Sequence, residues 1–159
     1  MKISAQEEYG LRCLVQLANL SPGESLTLPQ IAEREGISTA NAGKLMWLLN
    51  KAGFVQSTRG TKGGYLLARP PREIRLSEII KVLDSDVVDN HCENYTGVRD
   101  ACVHKGDCGI RPVIVGLHEI VENALSQITL SHLVGNEKSV DVMFHSIQGI
   151  HRTIEPTRV

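Results

Sequence analysis

The sequence predicts a mainly α-helical fold with a small β-hairpin, namely a winged helix-turn-helix followed by a long helix. Two short apolar-periodic segments flank the turn at residues 36–38, and two strand-like segments around a glycine-rich turn follow them. A long apolar stripe then begins after Pro112. These observations divide the chain into a winged helix-turn-helix (1–84), a cysteine loop (85–111), a dimerisation helix region (112–134) and a tail (135–159).

The first two helices are predicted from their capping residues. Ser4 and Glu7 have the spacing of a capping box, which predicts that the first helix begins at residue 5. The Thr27 hydroxyl is placed to cap a second, short helix that stops at Gly36.

The third helix, from Thr39 to about Ala52, would be the recognition helix of the helix-turn-helix. Hydroxyl, amide and ammonium groups near its N-terminus can reach base edges or phosphates. The candidates are Ser38, Thr39, Asn41 and Lys44. Gly43 costs roughly 1 kcal/mol relative to Ala inside a helix, which suggests a close approach of DNA or another helix to the backbone. Trp47 is expected to be a packing residue.

Residues 54–58 and 65–68 are predicted to form a hairpin, the wing, which Pro70 and Pro71 end. Its glycine-rich turn would let the backbone approach a phosphate while Arg59 enters the minor groove. The candidate DNA-binding residues here are Arg59, Gly60, Lys62, Gly63 and Gly64.

The charge of the chain is unevenly distributed. The net charge is −1, but residues 34–75 contain eight basic and two acidic side chains. That segment therefore carries +6 and the remainder −7. A polyanion would be drawn to one part of the molecule.

A short helix is predicted over residues 74–83, and a long helix after Pro112. The apolar stripe of the long helix is wide enough to need a partner, so we expect it to pack against its equivalent in a second subunit. The expected dimer contacts are Val113, Leu117, Ile120, Val121, Ala124 and Leu125. The tail after Gly135 is only weakly patterned.

Cys92, Cys102 and Cys108 crowd into a polar, loop-like stretch of seventeen residues. A loop can bend several thiolates toward one centre, which suits an iron-sulfur cluster. A zinc site and unliganded redox thiols are the alternatives. Cys13 lies in an apolar helix and is expected to be a core residue.

The chain has no apolar run of 18 residues and no basic-then-apolar start, so we expect a cytoplasmic protein with no membrane association. In a reducing compartment, clustered cysteines are more often ligands or redox groups than disulfides. We find no nucleotide-binding glycine loop or nucleophile motif, and do not expect an enzyme.

Residues 31–38 (IAEREGIS) and 59–67 (RGTKGGYLL), together with the three later cysteines, resemble the bacterial winged-helix regulators typified by IscR and NsrR. The resemblance covers roughly residues 1–134. It implies a homodimeric transcription regulator that binds double-stranded DNA at a palindromic operator. It also implies a 2Fe-2S or 4Fe-4S cluster bound by three cysteines and one further ligand.

The fourth ligand departs from the family pattern. Arg111 stands where the IscR-type pattern has a histidine, and a guanidinium is not a plausible ligand. Glu8 matches the position of an acidic residue that NsrR-like proteins donate from the partner subunit, and it is our first candidate. His104 is a weaker candidate and His91 another, because immediate neighbours of a ligand tend to point away from the shared centre.

The leading interpretation is therefore a DNA-binding regulator whose operator affinity depends on its cluster. A regulator of the same fold that senses through thiol oxidation is the first alternative. The second, from a different class, is an iron-sulfur electron carrier, although three cysteines without a fourth are incomplete for a ferredoxin.

Overall fold

The computed structural model describes residues 3–58, 63–83, 98–99, 102–104 and 106–148. Their helices are α1 (Ala5–Ala18), α2 (Leu28–Glu35), α3 (Thr39–Lys51), α4 (Leu76–Leu83), α5 (Arg111–Ser126) and α6 (Glu137–Gln148). The strands are β1 (Val55–Ser57) and β2 (Tyr65–Leu67), and 3-10 turns span Pro71–Glu73 and Leu130–Leu133. The predicted mainly helical fold with a small hairpin is confirmed.

Capping residues begin each of the first three helices. Ser4 and Glu7 form a reciprocal capping box, in which the Ser4 backbone donates to Glu7 Oε2 at 2.6 Å. Thr27 caps α2 in the same way, and Gly36 ends it at φ 63°, a left-handed conformation that favours glycine. The Ser38 hydroxyl accepts from Asn41 N at 3.2 Å and so begins α3.

The hairpin is antiparallel, with Val55 opposite Leu67 and Ser57 opposite Tyr65. Leu26, in the connection between α1 and α2, forms a further antiparallel bridge with Tyr65 of β2. Leu26 N donates to Tyr65 O at 3.0 Å, and Tyr65 N donates back to Leu26 O at 2.8 Å. The wing is therefore hydrogen-bonded to the helix-turn-helix at its base.

One apolar core joins α1, α2, α3, the hairpin and α4. Its largest fully buried side chains are Leu14, Ile31, Leu45, Met46, Leu49, Val55, Ile74, Ile79, Leu83 and Leu130. Cys13 is fully buried among them, so its prediction as a core residue is confirmed.

The segment after α5 returns to the start of α4. Leu76 N donates to Ile128 O at 2.9 Å, and Leu130 N donates to Ile74 O at 2.8 Å. Arg75 pairs with Thr129 in this bridge. Because Ile74 is extended and Arg75 forms this bridge, α4 begins at Leu76 rather than at the predicted residue 74.

Pro112 lies in the first turn of α5, as predicted. Within the weakly patterned tail, residues 137–148 form α6, a helix that the sequence analysis did not predict. Asn136 Oδ1 accepts from Ser139 N at 2.9 Å, a capping signal that the sequence contained. Among the helices described here, none is long and apolar enough to cross a membrane.

Candidate nucleic-acid interface and cysteine segment

The predicted groove-facing residues lie on the exposed N-terminal end of α3. Ser38, Thr39, Asn41 and Lys44 are all exposed, while the opposite side of the helix is buried in the core. The Ser38 hydroxyl also caps the helix, which leaves Thr39, Asn41 and Lys44 as the candidate side chains without a cap role. This end of α3 can therefore present polar groups to a groove.

The prediction that Trp47 is a packing residue is wrong. Its side chain is 58% exposed, because the core-facing positions of α3 are Ala42, Leu45, Met46 and Leu49. Lys51 Nζ lies 5.2 Å from the centroid of the indole ring. Sequence reasoning missed both residues, although their spacing from Lys44 placed them on the exposed side of the helix.

The fold requires glycine at Gly64 but not at Gly43. A Cβ added at Gly64 would lie 2.6 Å from Leu26 O, so the backbone pairing that anchors the wing requires glycine there. Among the described residues, a Cβ added at Gly43 would meet only Leu28 Cδ1, at an ordinary 3.9 Å. Gly43 is in a regular helix, so neither crowding nor a left-handed backbone explains it.

Thr58 and Gly64 hold the base of the wing together, while its basic tip lies outside the described residues. Thr58 Oγ1 accepts from Gly64 N at 2.9 Å, and Thr58 N donates to Gly64 O at 2.8 Å. Gly63 and Gly64 are half-buried. The predictions for Arg59, Gly60 and Lys62 concern residues outside the described part of the chain and stay predictions.

Two cations of the basic segment stabilise the fold. Arg69 pairs with Glu78 at 2.8 Å and lies 5.4 Å from the Phe54 ring centroid. Arg75 Nη1 donates to Ser126 O at 2.5 Å. The positive charge counted in the sequence is therefore only partly available to a polyanion.

Cys102 and Cys108 are free, half-buried thiols in the segment before α5. Their donor chemistry fits an iron-sulfur cluster, because neither sulfur is committed to a disulfide. Cys92 and His91 fall outside the described residues, and His104 is exposed. Within the described ranges, no three His, Cys, Asp or Glu side chains are grouped as a metal site.

Cys13 differs from these thiols in its environment. Burial raises the pKa of the Cys13 thiol to about 12, and the negative charge of Glu35 contributes in the same direction. A neutral buried thiol is a poor nucleophile and a poor ligand. Cys13 is therefore separate from the candidate cluster ligands.

Glu8 and Arg111 are both on the surface. The Glu8 carboxylate, 51% exposed, accepts from Arg12 Nη2 at 2.7 Å one helical turn away. Arg111 is the exposed first residue of α5, three positions after Cys108. Glu8 is the carboxylate that remains accessible to a second subunit, since the neighbouring Glu7 is buried in its capping box.

The predicted dimer stripe divides along the length of α5, into an exposed N-terminal half and a half-buried C-terminal half. Val113, Leu117 and Ile120 are 60%, 58% and 65% exposed. Val121, Ala124 and Leu125 are half-buried, and Leu125 packs against the core. The first three form an apolar strip at spacings of four and three, which we call the α5 strip.

The Rrf2 family, described as an iron-dependent transcriptional regulator, matches residues 3–136. The chain is 30% identical over 158 residues to the HTH-type transcriptional regulator IscR of Cronobacter sakazakii, covering 99% of this chain and 93% of that relative. It is 31% identical over 140 residues to NsrR of Bacillus subtilis, covering 88% of this chain and 94% of that relative.

The oxidized form of CymR from Staphylococcus aureus has the same fold. It superposes with a TM-score of 0.67 at 27% identity, covering 86% of this chain and 98% of that structure. The relatives are transcriptional regulators, which favours that class over an electron carrier or an enzyme. The match over residues 3–136 and the shared winged-helix architecture show that this chain belongs to the Rrf2 family of transcriptional regulators.

Proposed function

We propose that this protein is a homodimeric DNA-binding regulator whose affinity for a palindromic operator is controlled by an iron-sulfur cluster. Cys92, Cys102 and Cys108 would bind the cluster, and Glu8 of the other subunit would complete it. The observation that carries the proposal is the position of two uncommitted thiols, Cys102 and Cys108, directly before α5.

DNA reading is assigned to the exposed end of α3 and to the wing. Ser38, Thr39, Asn41 and Lys44 would face the major groove. The Thr58–Gly64 contacts would hold the wing close to the DNA backbone. Arg59, Gly60, Lys62 and Gly63 would extend that contact.

Dimerisation is assigned to the α5 strip. Each apolar side chain left in water costs about 25 cal/mol per Å² of its surface, so burying Val113, Leu117 and Ile120 against a second copy is favourable. Two copies of α5 packed together would also set the separation of the two recognition helices. Half-sites one helical turn apart are the geometry that such a dimer reads.

Glu8 is suited to change partners. Its ion pair with Arg12 joins two side chains that are each about half exposed, and such pairs contribute about 0–1 kcal/mol. If Glu8 binds the cluster of the other subunit, that stronger contact would replace its ion pair with Arg12 at little cost. A cluster with an oxygen ligand has one labile iron, which favours sensing over electron transfer.

Side-chain contacts link α4, which precedes the cysteine segment, to α1 and to α5. Gln6 Nε2, in the same helix as Glu8, donates to Leu83 O at 2.7 Å where α4 ends. On the other side, Lys81 Nζ pairs with Glu122 of α5 at 2.6 Å. Folding of the cysteine segment would therefore pull on α1 and α5 together, and through them on α3.

The decisive experiment isolates the protein under anaerobic conditions and measures iron, acid-labile sulfide and the visible spectrum. We expect stoichiometric iron and sulfide, and different operator affinities with and without the cluster. Colourless protein that contains zinc and binds the operator regardless of iron would contradict the proposal.

The fourth ligand needs its own comparison. Glu8→Ala should leave a cluster that decays faster in air with an altered spectrum, whereas His104→Ala should have a mild effect. Gln6→Ala is a useful companion, because it alters the junction without removing a carboxylate. Loss of the cluster in His104→Ala but not in Glu8→Ala would place the ligand within the cysteine segment.

Thiol oxidation without a cluster is the second candidate, and the similarity to CymR in its oxidized form favours it. Cys102 and Cys108 are free and accessible enough to oxidise. In that case iron-free protein would change its operator affinity on peroxide treatment and recover it with dithiothreitol, and Cys102→Ser would not respond.

A further inference from the structure

The exposed face of α3 continues beyond its N-terminal end. Ala40, Lys44, Trp47 and Lys51 follow one another at spacings of four, three and four, and all four are exposed. They lie opposite the buried positions of the helix. Trp47 is therefore at the middle of the face that the proposed function directs into a groove.

The chemistry around Trp47 fits DNA. Lys44 and Lys51 bracket the indole along the helix, and Lys51 Nζ lies 5.2 Å from the ring centroid. A large apolar side chain flanked by two ammonium groups suits a surface that is both anionic and locally apolar. The major groove has both properties, because phosphates line it and each thymine projects a C5-methyl group into it.

Gly43, one turn before Trp47, provides the second observation. The fold leaves room for a Cβ at this position, since the nearest described atom would be Leu28 Cδ1 at 3.9 Å. A glycine that the packing does not require leaves this half-buried position of the helix without a side chain. Residues four apart lie on neighbouring parts of one helix surface, so a ligand that contacts the indole would pass close to the Gly43 backbone.

We propose that Trp47 is a specificity-determining residue that contacts a thymine methyl group in the major groove, with Gly43 permitting the close approach. Lys44 and Lys51 neutralise phosphates on either side. This inference rests on the proposed DNA-binding function, which it extends to the bases read.

The test uses a duplex enriched from a random pool by the wild-type protein, labelled with fluorescein to measure affinity. Each thymine is replaced in turn by uracil, which removes only the methyl group. At one thymine per half-site, we expect the affinity to fall about fourfold, and about fifteenfold when both half-sites are changed, as for one buried carbon per site. Trp47→Ala should bind the thymine and uracil duplexes equally.

Trp47 is the only tryptophan of the chain, so its fluorescence reports on the contact directly. We expect operator binding to change its emission and to reduce quenching by acrylamide. Trp47→Phe retains an apolar ring and should keep part of the thymine preference. Phe144→Ala removes another exposed aromatic side chain, on α6, and should keep all of it.

The outcomes separate this inference from the proposed function. Absence of any change in fluorescein anisotropy would overturn DNA binding itself. Normal binding with an unchanged tryptophan signal, or with an equal thymine preference in Trp47→Ala, would overturn the role of Trp47 and leave DNA binding intact. Circular dichroism of Trp47→Ala establishes that the variant is folded.

Discussion

At the scale of single residues, the burial of each cysteine decides which chemistry its thiol can perform. Cys13 is surrounded by the core, which favours its neutral thiol, whereas Cys102 and Cys108 remain partly accessible to solvent. The thiolate is the form that binds metal and reacts with oxidants. Accessibility therefore supports the proposed sensing role of the later cysteines, whereas burial gives Cys13 a packing role.

This difference predicts the order of thiol modification. Iron-free protein treated with iodoacetamide at pH 8 should be alkylated at Cys102 and Cys108 while Cys13 stays protected, as peptide mass spectrometry would show. Because the Cys13 pKa rises from 9.0 to about 12 on folding, the neutral thiol stabilises the fold fully below pH 9. That contribution is lost as the pH rises toward 12. Rapid alkylation of Cys13 in folded protein at pH 8 would contradict the assignment.

The glycines provide a prediction with opposite signs at two positions. Gly43→Ala should raise the free energy of unfolding by roughly 0.5–1 kcal/mol, because alanine is the better helix former and its Cβ has room. Gly64→Ala should lower it by about 1–3 kcal/mol, because its Cβ would collide with Leu26 O. Urea unfolding followed by circular dichroism measures both. A destabilised Gly43→Ala would mean that glycine is needed there for packing.

At the scale of elements, α5 serves two surfaces. Leu125 packs inward on the core, while Val113, Leu117 and Ile120 are exposed. The segment after the helix is bonded to the start of α4 through Ile74, Leu76 and their partners. A displacement of α5 would therefore be transmitted to the winged helix-turn-helix through these backbone hydrogen bonds, which deform less than contacts between surface side chains.

The α5 strip can be tested by charge. Leu117→Asp should convert a dimer into a monomer in sedimentation, because a carboxylate would be buried unpaired in the interface. Val115→Asp is the matched control, because Val115 is also exposed but lies on another side of the same helix and should leave the dimer intact. A dimer that withstands Leu117→Asp would place the interface elsewhere.

The sequence predicted those elements that have local signals. Capping boxes at Ser4 and Thr27, the left-handed Gly36 and the hairpin all depend on residues within a few positions of each other. The start of α4 was missed because Ile74 pairs with Leu130, a partner more than fifty residues away. For the site, spacing along the chain indicated the candidate thiols and the candidate residues of α3. The same spacing placed Trp47 on the exposed side of α3, and the prediction failed because a large aromatic side chain is more often buried than exposed.

At the scale of the whole molecule, the uneven charge distribution favours the approach of DNA to one part of the surface. The chain is nearly neutral, but its positive residues concentrate between positions 34 and 75 and include Lys44 and Lys51 on the exposed face of α3. The negative remainder would repel phosphate, so the surface that carries these positive residues is the part of the proposed dimer that would be attracted to the duplex. Arg69 and Arg75, which are bound to Glu78 and Ser126, contribute to this field without being free to contact DNA.

This arrangement predicts a strong dependence of operator binding on salt. If a dimer neutralises about six to ten phosphates, the logarithm of affinity should fall with the logarithm of salt concentration with a slope of roughly −5 to −9. Lys44→Ala removes one contact from each subunit and should make the slope shallower by about 2. Lys138→Ala, on α6, removes the same charge outside the proposed interface and should leave the slope unchanged. Fluorescence anisotropy between 50 and 300 mM salt, roughly the range in which such slopes are resolved, measures all three. A flat response, or equal slopes for Lys44→Ala and the wild type, would mean that α3 does not carry the contacts assigned to it.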